Sequence, residues 1–367
     1  MAFLNRFQGA LLAFLLMVLL AGQIETLVTT QAVHQIDFWL AWLGCMVVLT
    51  LPILLLESAL AKRTNALPLQ ALPALTRDAD ASTCWRSVGW LALGSVLLLA
   101  GELGSTLSIG TVALTQQNAS LSAVATVLPY IIIAAIVALS YVSKWLPLIG
   151  ALLVVAVVGL GLLHPVVTLS WQTTHLSLID WSSAVELALV ATGVGLGIYW
   201  QTALTSNTTT KRYKILPIWI AQIIGGAVIA FNLLSVSLAY KNLSFVLVSV
   251  ALLSGAAVLL AFARQQLMAR GFPVIVTWIV LLASLLVWVL PIQGSLLALT
   301  LALTILVSAA YAVFSGWKMK SSHLRKALDF NNEGLYNLWR IMVRLVVPLA
   351  VVFALVGIVE QYIAWIQ

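Results

Sequence analysis

A chain of 367 residues that is 62% hydrophobic and only 8% charged, with a mean hydropathy of +1.10, cannot clothe a water-soluble surface of its own size. The composition selects an all-α polytopic membrane protein and excludes a soluble enzyme. The net charge of +7 would suggest nucleic acid in a soluble chain, but the basic residues here flank apolar runs, so the lipid bilayer is the expected partner and nucleic acid is not.

Apolar runs of roughly 18 to 27 residues, long enough to cross a hydrocarbon core, predict eleven helices. They fall at 6–29, 37–61, 86–112, 122–142, 145–163, 181–205, 214–238, 243–263, 272–291, 294–316 and 339–364, joined by short polar or turn-forming loops. The first run sits where a secretory signal would, yet it lacks a small-residue cleavage site and is long enough to span, so it is read as helix one. Basic residues check the count. With the N-terminus in the cytoplasm, every one of the 18 Lys and Arg residues except Lys241 lies on the inner side, as cationic loops resist translocation. One transmembrane domain over 1–367 is expected, its N-terminus cytoplasmic, and the compact loops and short termini suggest a bacterial inner membrane. Cys45 and Cys84 offer neither metal spacing nor a disulfide framework, and the four histidines are scattered, so no metal site is expected. No phosphate-binding glycine loop ending in Gly-Lys-Ser/Thr argues for an ATP-driven pump, and no nucleophile constellation argues for an enzyme.

Two spans carry signals of a broken helix. Helix one holds Ala21-Gly22-Gln23-Ile24-Glu25-Thr26, and helix six holds Thr192-Gly193-Val194-Gly195-Leu196-Gly197. Transporters built from inverted repeats break one helix in each half and use the freed backbone groups to bind substrate and ions near the bilayer midplane. Helices one and six correspond if 6–163 and 181–316 are two repeats of five helices, with 339–364 an extra helix. Glycine-rich segments also serve close helix packing without any break.

The stretch Leu51–Trp90 carries a more specific pattern: Pro52, then Glu57, the basic helix end Lys62-Arg63, and Trp85-Arg86-Ser87-Val88-Gly89-Trp90 opening the next span. It resembles the second and third helices of the neurotransmitter:sodium symporter family. Gly195-Leu196-Gly197 resembles that family's unwound sixth-helix segment, Ile223-Ile224-Gly225-Gly226 its seventh helix, and Phe314-Ser315-Gly316-Trp317-Lys318 the end of its tenth. Leu335-Tyr336-Asn337-Leu338-Trp339-Arg340, with Arg344 and Pro348, is similar to the start of its eleventh. The resemblance implies the LeuT fold, a 5+5 inverted repeat plus one helix, and a central site between helices one, three, six and eight. It also implies secondary transport of an amino acid or amine, and for Glu57 a structural role in supporting the broken helices.

The departures from the family bear on mechanism. In helix one Gln23 overlays the asparagine that helps bind sodium, and Thr26 or Glu25 overlays the gate arginine, so that arginine is gone. In helix three Glu102 and Leu103 replace a tyrosine pair whose second member touches the substrate carboxylate. In helix eight Leu253 and Ser254 overlay the Thr-Ser sodium ligands, losing one hydroxyl, and in helix seven Pro217 falls near a lost asparagine. What remains is acidic. Glu25 and Glu102 fall deep within their spans, where a central charge costs about 2.5–3.5 kcal/mol on insertion scales and is a functional candidate by default. A pair near one cavity can share a proton or neutralise a cationic amine; each can equally sit protonated and hydrogen-bonded, or Glu25 can snorkel outward. The candidate substrate and ion ligands are Gly22, Gln23, Glu25, Glu102, Thr192, Gly193, Gly195, Gly197 and Ser254. Among them Gln23 and Thr192 are polar enough to bridge helices instead. No bound cofactor is expected beyond Na+ or H+ as coupling ion, and oligomeric state is open. Tyr199 and Trp200 wall a pocket or simply pack, and Glu186 and Glu360 are placed near interfaces. The other reading is a homologue that has lost transport and serves as a membrane partner or sensor.

Overall fold

A computed structural model describes residues 2–24, 35–115, 122–163, 173, 175–190, 198–200, 215–234, 240–290, 292–328, 330 and 332–366. Its long elements are all helical. Span one is α1 (Ala2–Ile24). Span two joins α2 (Ile36–Cys45) to α3 (Leu51–Thr64) through a π-helical turn, Met46–Thr50. Spans three to five are α5 (Ser87–Thr115), α6 (Ser122–Leu139) and α7 (Leu146–Leu163). In span six, α8 (Leu178–Val190) and residues 198–200 are helical. Spans seven to ten are α9 (Ile215–Ala230), α10 (Lys241–Ala269), α11 (Val274–Leu286) and α12 (Gln293–Val313). The last span is α15 (Val347–Ile366), preceded by α13 (Ser321–Leu328) and α14 (Glu333–Ile341). Among the described residues six continuous helices are long and apolar enough to cross a membrane, and four shorter apolar helices accompany them.

The loops are less plain than the sequence suggests. Residues 62–85, expected to be a polar loop, contain α4 (Pro68–Asp78) and a 3-10 turn, Thr83–Arg86. Asn65 ends α3 in the left-handed region at φ 47°, bonding back to the Ala61 carbonyl, and Leu67 is extended so that Pro68 can take the first helical turn. Leu69, Leu72 and Leu75 of α4 are buried, and Leu72 lies so close to Gly89 at the start of α5 that a methyl there would come within 2.7 Å of it.

The packing obeys an exchange. Span one contacts seven and five, as six contacts two and ten; eight contacts five, four and nine, as three contacts ten, nine and four. Swapping each helix of the first five with its counterpart in the second five reproduces these pairs, as two repeats of one unit should. Span eleven lies outside this scheme against α8 and α12.

Irregular turns inside spans disturb the carbonyl ladder. Tryptophan indoles bond carbonyls at and beside them. Trp219 Nε1 donates at 2.9 Å to the Met46 carbonyl, which also accepts the Leu51 N–H across the first π turn, and Trp339 Nε1 donates to the Pro52 carbonyl just after it at 2.9 Å. Pro348 lacks the N–H that would bond Arg344 one turn back, and Trp317 Nε1 donates to that carbonyl instead at 3.2 Å. The Arg344 guanidinium in turn binds the Gly316 carbonyl and lies 5.1 Å over the Trp317 ring. The family-like segments at 314–318 and 335–348 thus form one clasp between spans ten and eleven.

Candidate functional site

Spans one, three and eight converge on Gly255. A methyl at that position would lie 2.8 Å from Leu19 Cδ1 of α1 and 3.2 Å from Leu103 Cδ1 of α5, so the missing side chain is what lets three helices meet. Leu103 therefore fills this junction with hydrocarbon.

Glu102 follows from the same register. Successive residues on a helix turn about 100°. Gly101 lies against the Trp288 indole, Leu103 faces α1 and α10, and Gly104 abuts Ile136 of α6. Glu102 thus occupies the face between Trp288 and the α1–α10 junction, away from α6. It is only 5% exposed; Thr106 Oγ1 bonds its backbone carbonyl at 3.1 Å and reaches Oε1 at 3.5 Å, while Oε2 has no partner among the described residues. The buried indole N–H of Trp288, beside Gly101, is likewise without a partner there. An acceptor and a donor left open in one layer can bind a polar ligand or a proton. The neighbouring α12 adds a ladder of buried hydroxyls, Thr300, Thr304 and Ser308, each bonded to the carbonyl one turn back. Their four-residue spacing was readable in the sequence, yet only packing shows that this face is buried.

Ser254 is 1% exposed and donates to the Val250 carbonyl at 2.8 Å. That bond uses its proton and leaves oxygen lone pairs to accept from a donor or a cation. Its side chain faces span five, with Cβ 3.3 Å from where a Gly150 methyl would stand and Leu15 of α1 beside it. Ser254 and Glu102 thus flank the Gly255 junction from different helices.

Glu57 lies elsewhere. It is buried in α3, and Oε1 accepts the backbone N–H of Trp200, in the helical residues 198–200, at 2.9 Å. Trp200 Nε1 donates to the Ala66 carbonyl beyond the end of α3 at 2.9 Å, and the adjacent Tyr199 faces Gln222 of α9. Spans two, six and seven are tied here by one carboxyl and two aromatic residues, and Tyr199 and Trp200 are packed and bonded at 4% and 1% exposure.

The sequence places Glu186 near an interface; the structure buries it completely, at 1% exposure, with Oε1 lacking a partner among the described residues. It lies on the part of span six packed against spans two, ten and eleven, and the same face carries Ser182 and Ser183, the latter accepting a bond from Gln361 Nε2 at 2.8 Å. The signal that marks Glu102, an acid well inside an apolar run, marks Glu186 too. Gly22 and Gln23 belong to the final turn of α1, whose helical backbone runs through Ile24. Glu25, Thr192, Gly193, Gly195 and Gly197 lie outside the described residues.

No protein-family model matches the chain, and no curated protein matches it in sequence. Among solved structures, the crystal structure of MhsT in complex with L-phenylalanine superposes with a TM-score of 0.66 at 16% sequence identity, covering 95% of this chain and 98% of that one. The likeness runs over nearly the whole length of both chains. The chain has the LeuT-like fold, a polytopic all-α membrane architecture of two five-helix units and one further helix.

Proposed function

We propose that this protein is a secondary active transporter for an amino acid or small amine, with Na+ or H+ as coupling ion. The observation that carries the reading is Glu102: a carboxyl with an open oxygen, held where spans one, three and eight meet in a fold whose solved relative binds L-phenylalanine in its crystal. A substrate's ammonium group is the natural complement to that carboxyl, and the apolar Leu19 and Leu103 suit a hydrocarbon side chain beside it. With Leu253 in place of a hydroxyl ligand and Ser254 alone remaining, proton coupling through Glu102 is the preferred route, with Ser254 and backbone carbonyls as the fallback for sodium. We place the protein in a bacterial inner membrane with its N-terminus in the cytoplasm, following the basic loops.

Proteoliposomes test this directly. Uptake of labelled amino acids and amines is measured under an imposed proton gradient, a sodium gradient and a membrane potential, each alone. Uptake driven by the proton gradient and lost in Glu102→Gln supports the proposal, whereas uptake that needs sodium and survives Glu102→Gln removes the proton route. No uptake of any substrate under any gradient would leave the non-transporting homologue as the better reading.

A further inference from the structure

Span ten ends at Lys318 and a helix long and apolar enough to cross a membrane begins at Glu333, so the described residues between them sit at the shared end of two spans. There α13 and α14 enclose an open cleft of about 580 Å³. Arg325 and Lys326 line one side, Tyr336, Asn337 and Arg340 the other, and Phe330 lies between. The helix α13 is fixed by its apolar side: Leu324 and Leu328 are buried and the helix packs on α3, leaving Arg325 and Lys326 turned outward. Tyr336 is buried beneath the cleft, its ring 6.4 Å from Phe330 in an edge-on pair.

Among the described lining residues the charges do not cancel. Arg325 pairs with Glu333 at 3.0 Å, the one carboxylate among them, while Lys326 and Arg340 have no carboxylate within ion-pair reach among the described residues. Beside the cleft α14 continues into span eleven with a stripe of half-exposed Leu335, Leu338, Ile341 and Leu345, spaced three or four residues apart on the lipid-facing side. A cationic recess at the shared end of two spans, opening beside an apolar stripe, matches a ligand that is anionic at one end and hydrocarbon at the other.

We propose that this cleft binds the phosphate headgroup of an anionic phospholipid, held by Lys326 and Arg340, with an acyl chain along Leu335, Leu338, Ile341 and Leu345. The shared chemistry with free phosphate is the anion; the stripe is what favours the lipid. The site is independent of the transport reading, since none of its residues touches the Glu102 layer.

The test is lipid retention by the full-length detergent-purified protein, read by native mass spectrometry with dioleoylphosphatidylglycerol, dioleoylphosphatidylcholine or inorganic phosphate added. Phosphatidylglycerol is expected to bind at least tenfold more tightly than phosphatidylcholine, with that preference lost in Lys326→Gln and in Lys326→Gln/Arg340→Gln. Lys144→Gln, a change at another exposed basic position, is expected to retain it. Because Lys326 is exposed, its single variant keeps the test sound even if Arg340→Gln perturbs folding. Equal binding of the two lipids, or a preference unchanged in Lys326→Gln, overturns the proposal. Inorganic phosphate that binds as tightly as phosphatidylglycerol overturns the lipid assignment in favour of a small-anion site.

Discussion

Gly226 and Gly159 make a matched pair for testing how closely the helices pack. Both sit in the interior of membrane helices, so replacing either with alanine gains the same propensity, about 1 kcal/mol. Their surroundings differ. A methyl at Gly226 would stand 2.6 Å from Trp42 Cζ2 and 2.9 Å from Cζ3, with the far ring atom closer still, whereas nothing lies within 4 Å of a methyl at Gly159. Trp42 cannot simply swing aside: it is buried and meets Trp39 edge-on at 5.5 Å, which meets Phe38 edge-on at 5.3 Å. Overpacking of this kind costs about 1–3 kcal/mol. Gly226→Ala is therefore expected to range from neutral to about 2 kcal/mol less stable, and Gly159→Ala to be about 1 kcal/mol more stable. The assay is thermal unfolding of the two variants and the parent in one detergent, scored as a lower apparent Tm for Gly226→Ala than for Gly159→Ala. Equal shifts would refute the reasoning, because spans two and seven would then not approach as closely as the structure has them.

Other outcomes follow from bonds already described. Trp317→Phe removes the donor to the Arg344 carbonyl that Pro348 leaves open; a stability loss of about 0.6–2 kcal/mol is expected, and no loss in thermal unfolding would mean that another donor takes over. Glu57→Ala strands the Trp200 N–H and should cost about 1–3 kcal/mol, whereas Glu57→Gln keeps an acceptor oxygen and should cost less; equal losses would count against the bond at 2.9 Å as the cause. Arg63→Gln breaks a pair with Asp78, which is 55% exposed, so it should change stability by under about 1 kcal/mol and less still in high salt. Should proton coupling run through Glu102, the pH dependence of substrate uptake flattens in Glu102→Gln, and an unchanged pH profile in proteoliposomes assigns the proton elsewhere.

Much of the architecture was legible because the bilayer limits what a sequence can do. A span must be apolar for the thickness of the hydrocarbon, and basic residues must gather on one side, so run length and the Lys and Arg pattern mark the helices. The stretch around Glu57 was legible for a different reason: Pro52, Glu57 and the Trp85–Trp90 segment form a motif at fixed spacing, although the groups they bond and pack against, Trp339, Trp200 and Phe314, lie on other spans. The loop helices were not. In α4, Pro68 and Pro73 and a low density of apolar residues hide an amphipathic helix whose partner, Gly89, lies on another span. Glu186 was misplaced because its run begins with Asp180 and Trp181, which read as an interface, while burial is decided by spans two, ten and eleven. Of the candidate site, Glu102 and Ser254 were found as residues, but which way each faces depends on Trp288, Leu19 and Gly150, none of them neighbours in sequence.

The π turn at Met46–Thr50 carries a consequence for span two that concerns phase. A π turn holds one residue more than an α turn, which rotates everything after it by about 100° relative to an unbroken helix. Span two therefore keeps two azimuths. Its first half aims Trp39 and Trp42 by one clock, and its second half aims Glu57 and Leu60 by another. Deleting one residue from that turn would restore an unbroken α-helix and leave Glu57 still aimed at Trp200, whereas deleting one between the turn and Glu57 would swing the carboxyl about 100° away. The turn absorbs one residue of span two without moving the carboxyl.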